Sequence, residues 1–296
     1  MREATIICRL SSRHGLEYYK RLADELPRRG FALTEAHMVR RRRQLKKRVR
    51  QAVKSGKRLI VVIGGDGTQT AAVGELAHSS SVLAVVPAGT GNSFALSLGI
   101  HNDVDEAIET IVSGKEIRVD LGIVNGTYFA NVASIGLIAE AANRTPNPLK
   151  RMFGVIAYGI AALLPIFRDK PFELHASWLE QDLKIRTRQA IVSSGRYFGW
   201  QPLTPEADIR SGELAFFAAE SDSPSDAIVT NAALLLGRQT RLSDAHYFSA
   251  PSLKIKTKPK QPLNVDGHEF GKTPAEFSIA PKALRVLVPQ NFEEQP

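Results

Sequence analysis

Gly64, Gly65, Asp66, Gly67 and Thr68 stand directly after an apolar run, Leu59-Ile60-Val61-Val62-Ile63, and before a helix-compatible segment holding Ala71, Ala72 and Val73. Glycines there allow positive φ and remove the Cβ atoms that would keep backbone away from a phosphate. A helix N-terminus adds unpaired N–H groups and a favourable dipole. This is no Walker A loop, which requires a lysine after its last glycine. Asp66 would repel a phosphate from inside such a cradle unless a cation intervened. Its presence points to Mg2+ bridging phosphate oxygens, held by the carboxylate directly or through water. The alternative is a tight strand-to-helix turn that uses Gly-Asp-Gly for backbone reasons alone. A second turn, Pro87-Ala88-Gly89-Thr90-Gly91-Asn92-Ser93, again follows an apolar strand and precedes a short helix. Gly89 and Gly91 repeat the backbone logic, while Thr90 and Asn92 can hydrogen-bond a phosphate or cap the helix.

Two such turns serve one ligand only if their strands lie in one sheet. Residues 5–10, 31–34, 58–63 and 82–86 have strand character and alternate with helical patterns over 16–26, over the basic run at 40–50, and at Val104, Ala107, Ile108 and Ile111. Alternation of this kind implies a mostly parallel sheet with helices on both faces, whose ligands settle beyond the strand C-termini. Beyond about residue 115, segments 172–179, 183–192 and 214–219 have the texture of strands between Gly/Pro/Ser-rich turns. The expected architecture is an N-terminal doubly wound α/β domain over 1–120 and a β-rich domain over 121–296, whose last residues could pack back on the first. Lys254, Lys256, Lys258 and Lys260 would project from one face of an extended segment. We read that segment as an edge strand that lysines protect from aggregation, with a membrane-facing basic patch as the alternative.

GGDGT at 64–68 together with PAGTGN at 87–92 resembles the diacylglycerol kinase catalytic-domain family, which includes bacterial soluble lipid kinases and the sphingosine kinases. GGDGT alone is shared with NAD kinases, and the second element at this distance separates the two. The resemblance continues more weakly through 128–136, the apolar segment near Tyr158, and 205–214. It implies an α/β nucleotide-binding domain joined to a C-terminal β-sandwich domain, ATP and Mg2+ as cofactors, and transfer of the terminal phosphoryl group to a hydroxyl of a diacylglycerol-like or sphingoid lipid. The family's late Asp-Gly-Glu element, implicated in deprotonating that hydroxyl, is matched by Val265-Asp266-Gly267-His268-Glu269. Asp266 is retained, His268 stands where the glutamate is expected, and His268 and Glu269 compete as its partner. Asp-Gly is also a common hairpin turn. Elsewhere the chain departs from the family. Ala71 replaces a glutamate, Arg9-Leu10-Ser11-Ser12 replaces an Asn-Pro-x-Ser-Gly-like loop, and Ser93 replaces the aspartate of the common bacterial form. Arg210-Ser211, with Asp208 and Glu213 nearby, replaces an acidic pair, so no structural metal site is carried over there.

The formal charge of +9 is unevenly placed. Residues 40–50 hold eight of the 39 lysines and arginines and no acid, leaving 31 cations against 30 acidic residues elsewhere. On a helix, Leu45, Val49, Ala52 and Val53 form one apolar stripe and the cations take the remaining face. A solvated face with no partner is the bland account. The functional one is adsorption to an anionic membrane, each cation contributing about 1 kcal/mol. The run lacks interleaved aromatics for base stacking, and no nucleic acid partner is expected. The apolar segment 152–167 falls short of the roughly 20 residues of a spanning helix, and we read it as a buried core helix, with an interfacial lipid contact as the alternative. The single cysteine, Cys8, lies in an apolar run and suits a reducing interior. With no secretory pattern at the N-terminus, the expected location is cytoplasmic with peripheral membrane association, a homodimer being left open. Two rivals stand beside a lipid kinase. One is an NAD-kinase-like nucleotide kinase, favoured by GGDGT and Ala71-Ala72. The other is a catalytically silent lipid-binding relative, favoured by Ala71, His268 and Arg210.

Overall fold

The computed structural model describes residues 2–144, 170–198, 201–205 and 207–293. The apolar segment 152–167 lies outside them. The chain divides into two compact units, Met1–Leu121 with Pro281–Pro296, and Gly122–Ala280.

The first unit runs β1 (Arg2–Arg9), α1 (Gly15–Arg28), β2 (Phe31–Val39), α2 (Arg42–Lys54), β3 (Leu59–Gly64), α3 (Asp66–Leu76), β4 (Val82–Pro87), α4 (Ser93–Ser97), α5 (Val104–Ser113) and most of β5 (Lys115–Val124). The second contains β6 (Thr127–Phe129), β7 (Val132–Gly136), α6 (Leu137–Arg144), β8 (Phe172–Trp178), β9 (Gln181–Thr187), β10 (Gln189–Ser193), β11 (Tyr197–Phe198), β12 (Gln201–Pro202), β13 (Leu214–Ala219), α7 (Pro224–Leu236), β14 (Ala245–Ala250), β15 (Ser252–Lys258), β16 (Pro262–Val265) and β17 (His268–Lys272). The long β18 (Ala275–Val288) gives residues 275–280 to the second unit and 281–288 to the first.

Strands of the first unit are parallel in the order β2-β1-β3-β4-β18. Ile60, Val61, Val62 and Ile63 are fully buried, as expected of a strand covered on both faces. Helices α1 and α5 pack together, as do α2 and α3. β2 is longer than the 31–34 expected, because its pairing with β1 continues to Arg9↔Val39. Cys8 is fully buried with its Sγ 3.1 Å from the carbonyl of Gly15, and burial pushes its thiol up to about 12. The native protein is therefore expected to resist a thiol reagent at about pH 8, where a free cysteine is partly thiolate, and to react once unfolded. Comparable native and unfolded labelling rates would contradict this.

In α2 the expected stripe is present, with Leu45, Val49 and Ala52 buried and Val53 half-buried; Arg43, Lys47, Arg48 and Arg50 are exposed, and Arg42 and Lys46 half-buried. Burying the two larger side chains contributes about 1.5–3 kcal/mol each. Gln44 Oε1 accepts the N–H groups of Arg40 and Arg41 at 3.2 and 3.1 Å, which anchors the helix start. Arg50 is committed to Glu75 of α3 through two bonds, at 2.8 and 3.1 Å.

Strands of the second unit are antiparallel and form two layers. One is β14-β13-β10-β7-β16-β17, and the other carries β15 and β8 between β18 and β9. Phe129, Phe172, Phe216, Phe277, Ile135 and Ile255 share one core. Three expectations are corrected. The strand read over 183–192 is two strands that break at Arg188, because β9 pairs with β8 in one sheet and β10 pairs with β7 and β13 in the other. The Lys254–Lys258 segment is not an edge: β15 pairs on one side with β18 and on the other with β8. Its lysines occupy the outward face, and Lys254 Nζ lies 2.6 Å from Glu276. Finally, the helix α7 stands in a domain read as strands and turns. Its ends carry ordinary local signals, since Ser223 Oγ accepts the Asp226 N–H at 3.3 Å, Asp226 Oδ2 accepts the Ser223 N–H at 2.8 Å, and Gly237 closes it at φ 66.

Candidate functional site

The two glycine turns end adjacent parallel strands at the same level, with Gly64 opposite Pro87. They touch: an ideal Cβ at Gly65 would lie 2.9 Å from the Gly89 Cα, and one at Gly89 would lie 2.5 Å from the Gly65 Cα. Side chains cannot enter that gap, so glycine is required for approach rather than for a left-handed conformation. Gly65 caps α3, its carbonyl accepting the N–H groups of Thr68 at 2.8 Å and Gln69 at 3.1 Å. Asp66 and Gly67 open that helix half-buried, while Thr68 and Gln69 are buried. Gln69 Nε2 donates to the carbonyls of Val62 and Gly64, at 3.1 and 3.4 Å, and so ties the helix start to its strand.

Asp66 faces the second turn. Its Oδ1 accepts the N–H of Phe94 at 3.2 Å, and a Cβ at Gly91 would meet its Oδ2 at 3.0 Å. Gly89, Thr90 and Gly91 are half-buried. Asn92 is buried at φ 55, a left-handed value that asparagine tolerates. Its side chain makes no bond to the α4 N-terminus. Instead Oδ1 accepts the Gly89 N–H at 3.0 Å and Nδ2 donates to Asn102 Oδ1 at 2.6 Å. Asn92 thus braces the turn from within. Asn102 and Gln69 are the supporting residues that motif reading missed, since neither belongs to a glycine turn. Ala71 is fully buried. The 9–12 segment folds as the turn between β1 and α1, with Arg9 Nε on Ser11 Oγ at 2.8 Å and the His14 N–H on the Ala88 carbonyl at 3.5 Å.

Asp266, His268 and Glu269 belong to the second unit. Asp266 and Gly267 form a two-residue loop between β16 and β17, with Val265 opposite His268 and positive φ at both loop residues, 46° and 79°. This is the hairpin geometry that Asp-Gly favours. The loop also buries the Asp266 side chain, at 5% exposure. Its Oδ2 accepts the Ala130 N–H at 2.8 Å, and its Oδ1 accepts those of Asn131 at 3.1 Å and Val132 at 2.9 Å. Hydrogen bonds to a charged carboxylate are about twice as strong as neutral ones, so three of them hold it in one orientation. His268 is half-buried, whereas Glu269 is exposed opposite buried Asn264. Asn131, Ser193 and Ser194 form a buried polar neighbourhood, in which the Asn131 carbonyl accepts Ser193 Oγ and the Ser194 N–H, both at 2.9 Å. Ser193 and Asn264 alternate along their strands with core Val192, Leu263 and Val265, whereas Asn131 and Ser194 lie just outside β7 and β10, so no periodic signal marks them. At 208–213 the Asp208 carboxylate accepts the Arg210 N–H at 2.7 Å. Among the described residues no group of three or more His, Cys, Asp or Glu is placed to hold a metal ion, and no helix is long and apolar enough to cross a membrane.

One chain thus combines an α/β unit with paired glycine turns at its strand ends and a β-sandwich unit with a buried carboxylate in its Asp-Gly hairpin, parts that suit a phosphotransferase. Residues 9–124 match the diacylglycerol kinase catalytic domain, and residues 131–288 match the YegS C-terminal NAD kinase beta sandwich-like domain. A diacylglycerol kinase of Bacillus subtilis is 30% identical over 246 residues, covering 80% of each chain. One from Staphylococcus epidermidis is 28% identical over 294 residues, covering 95% of this chain and 91% of its own. Two crystal structures from Bacillus anthracis share the fold. One has a TM-score of 0.80 at 23% identity over 97% of this chain and 96% of the other, and the second, a diacylglycerol kinase, has a TM-score of 0.72 at 20% identity over the same shares. The chain belongs to the diacylglycerol kinase catalytic-domain family, and it is a lipid kinase.

Proposed function

We propose that this kinase transfers the γ-phosphoryl group of ATP, with Mg2+, to a hydroxyl of a diacylglycerol-like or sphingoid lipid at a membrane surface. The observation that supports this most is the contact of Gly65 with Gly89, which leaves a side-chain-free backbone edge where two strands end and two helices begin. Such an edge fits a polyphosphate. Gly64, Gly65, Gly67, Thr68, Gly89, Thr90, Gly91 and Asn92 would hold it, and Asp66 would hold the metal or one of its waters. Bound Mg2+ would offset charge on the phosphoryl oxygens during transfer. Asp266, kept in place by its three N–H donors, would orient the lipid hydroxyl and accept its proton, with His268 rather than exposed Glu269 as the neighbour on the inner side of the hairpin. Phosphoryl transfer has a loose transition state, so positioning matters more than base strength.

The test is incubation of the purified chain with γ-labelled ATP, Mg2+ and total lipid extract, followed by identification of the labelled product. A phosphorylated lipid supports the assignment, and label on NAD alone would replace it with a nucleotide kinase. Adsorption through the cations of residues 40–50 is a separate expectation. Replacing Arg40, Arg41, Arg42 and Arg43 by glutamine should reduce sedimentation with anionic vesicles, each charge being worth about 1 kcal/mol at the surface. Unchanged sedimentation would leave α2 a solvated face.

A further inference from the structure

Helix α7 is apolar on both sides: Ala227, Ala233 and Leu234 face the core, and a second apolar set faces outward. Thr230 and Asn231 are buried, and Asn231 Nδ2 donates to the Ala227 carbonyl at 2.8 Å. Ile228, Val229 and Leu236 are 38%, 54% and 64% exposed. With exposed Ala232 they form a stripe at helical spacing. A surface helix of a soluble domain ordinarily keeps its outward face polar. No residue from 227 to 237 carries a charge, and the cations Arg238 and Arg241 follow at once, both exposed. The acids Asp222 and Asp226 stand at the opposite end, where Asp226 is occupied in capping. The 3-10 turn Gln239–Arg241 packs against α7 and against β14, whose Tyr247 is 41% exposed.

We propose that the outward face of α7, with Arg238 and Arg241 at its end, is a shallow docking surface for an anionic lipid bilayer. Ile228, Val229 and Leu236 would enter the upper acyl region and the two arginines would meet lipid phosphates. Aliphatic side chains beside cations is the composition that settles at a bilayer interface. A stripe one helix wide is narrower than the roughly 800 Å2 per partner that a stable protein interface buries, which disfavours a second copy as the occupant. The proposal rests on the lipid-kinase function only in that a kinase acting on bilayer lipid needs such a contact.

The experiment uses the full chain and sedimentation with vesicles of phosphatidylcholine, with and without phosphatidylglycerol. The triple variant Ile228→Ser, Val229→Ser, Leu236→Ser is expected to lower vesicle partitioning by about tenfold or more, since several buried methylene groups are lost. Arg238→Gln with Arg241→Gln should weaken binding to the anionic vesicles and leave neutral ones unaffected. Phosphorylation of a short-chain, monomerically dispersed diacylglycerol should be unchanged in both variants. All substituted side chains are exposed, so folding is retained and circular dichroism checks it. Undiminished partitioning of the triple variant overturns the proposal, as does a wild-type dimer that this variant dissociates. If wild type phosphorylates no lipid in any dispersion but still docks through α7, the assigned reaction fails and the docking surface stands.

Discussion

Gly89→Ala is expected to lower kcat/KM for ATP-dependent lipid phosphorylation by at least about 100-fold, the scale of a 1 Å displacement in a positioned site. The new methyl group would sit 2.5 Å from the Gly65 Cα and 2.7 Å from Asn92 Oδ1. Neither neighbour yields easily. One is backbone at the mouth of α3, and the other is a buried amide already bonded to the Gly89 N–H and to Asn102. One turn must therefore move, and with it the N–H groups that would meet phosphate. Gly91→Ala offers an internal comparison, because its methyl meets two side-chain tips and no backbone, Asp66 Oδ2 at 3.0 Å and Ser93 Oγ at 3.9 Å. It should cost less activity than Gly89→Ala. Steady-state kinetics, with calorimetry of Mg-ATP binding, reads both. Wild-type nucleotide affinity and turnover in Gly89→Ala would remove the two turns as a joint phosphate site.

Asp266→Asn is expected to lower kcat by about 10²–10⁴-fold, the range of a positioned general base, with little change in Mg-ATP affinity. The substitution also probes the hairpin. An asparagine presents one acceptor oxygen and one amide donor, so it cannot satisfy the N–H groups of Ala130, Asn131 and Val132 as the carboxylate does. Asp266→Ala satisfies none of them, and each buried unsatisfied group costs about 1–3 kcal/mol. The alanine variant should therefore melt well below the asparagine variant. The two roles separate in the data: a carboxylate that only shapes the turn would give a destabilised Asp266→Asn protein whose turnover, measured below its melting temperature, stays near wild type.

The order from β1 to β4 was legible because β3 and β4 are short, continuous and apolar and end in glycine turns, whereas β5 and the 281–288 part of β18 were not read as strands. GGDGT and PAGTGN could be located, and the alternation of elements put them at the C-terminal ends of parallel strands, while the adjacency of those strands is a matter of sheet order. The second unit was less legible. The break at Arg188 is invisible in a run of residues that all tolerate extended backbone, because it marks a change of sheet rather than of local conformation. The lysines of β15 suggested an edge, yet an outward sheet face has the same alternation, and only the neighbouring strands distinguish the two. Helix α7 had its Ser-Pro-x-Asp start and glycine stop in plain sequence. It escaped notice because apolar residues occupy both its buried and its outward side, so periodicity marked out no core-facing stripe.

Local chemistry in the sequence by itself determined the family, the paired glycine turns and the Asp-Gly hairpin, since backbone conformation and close approach are set by residue type over a few positions. What only the tertiary structure decided is what those residues touch. Gly65 meets Gly89 across two strands, Asn92 braces its own turn rather than capping a helix, and Asp266 is held by three N–H groups more than 130 positions earlier in the chain. Contacts between residues so far apart depend on strand order and register, and these are properties of the whole packed sheet rather than of any segment.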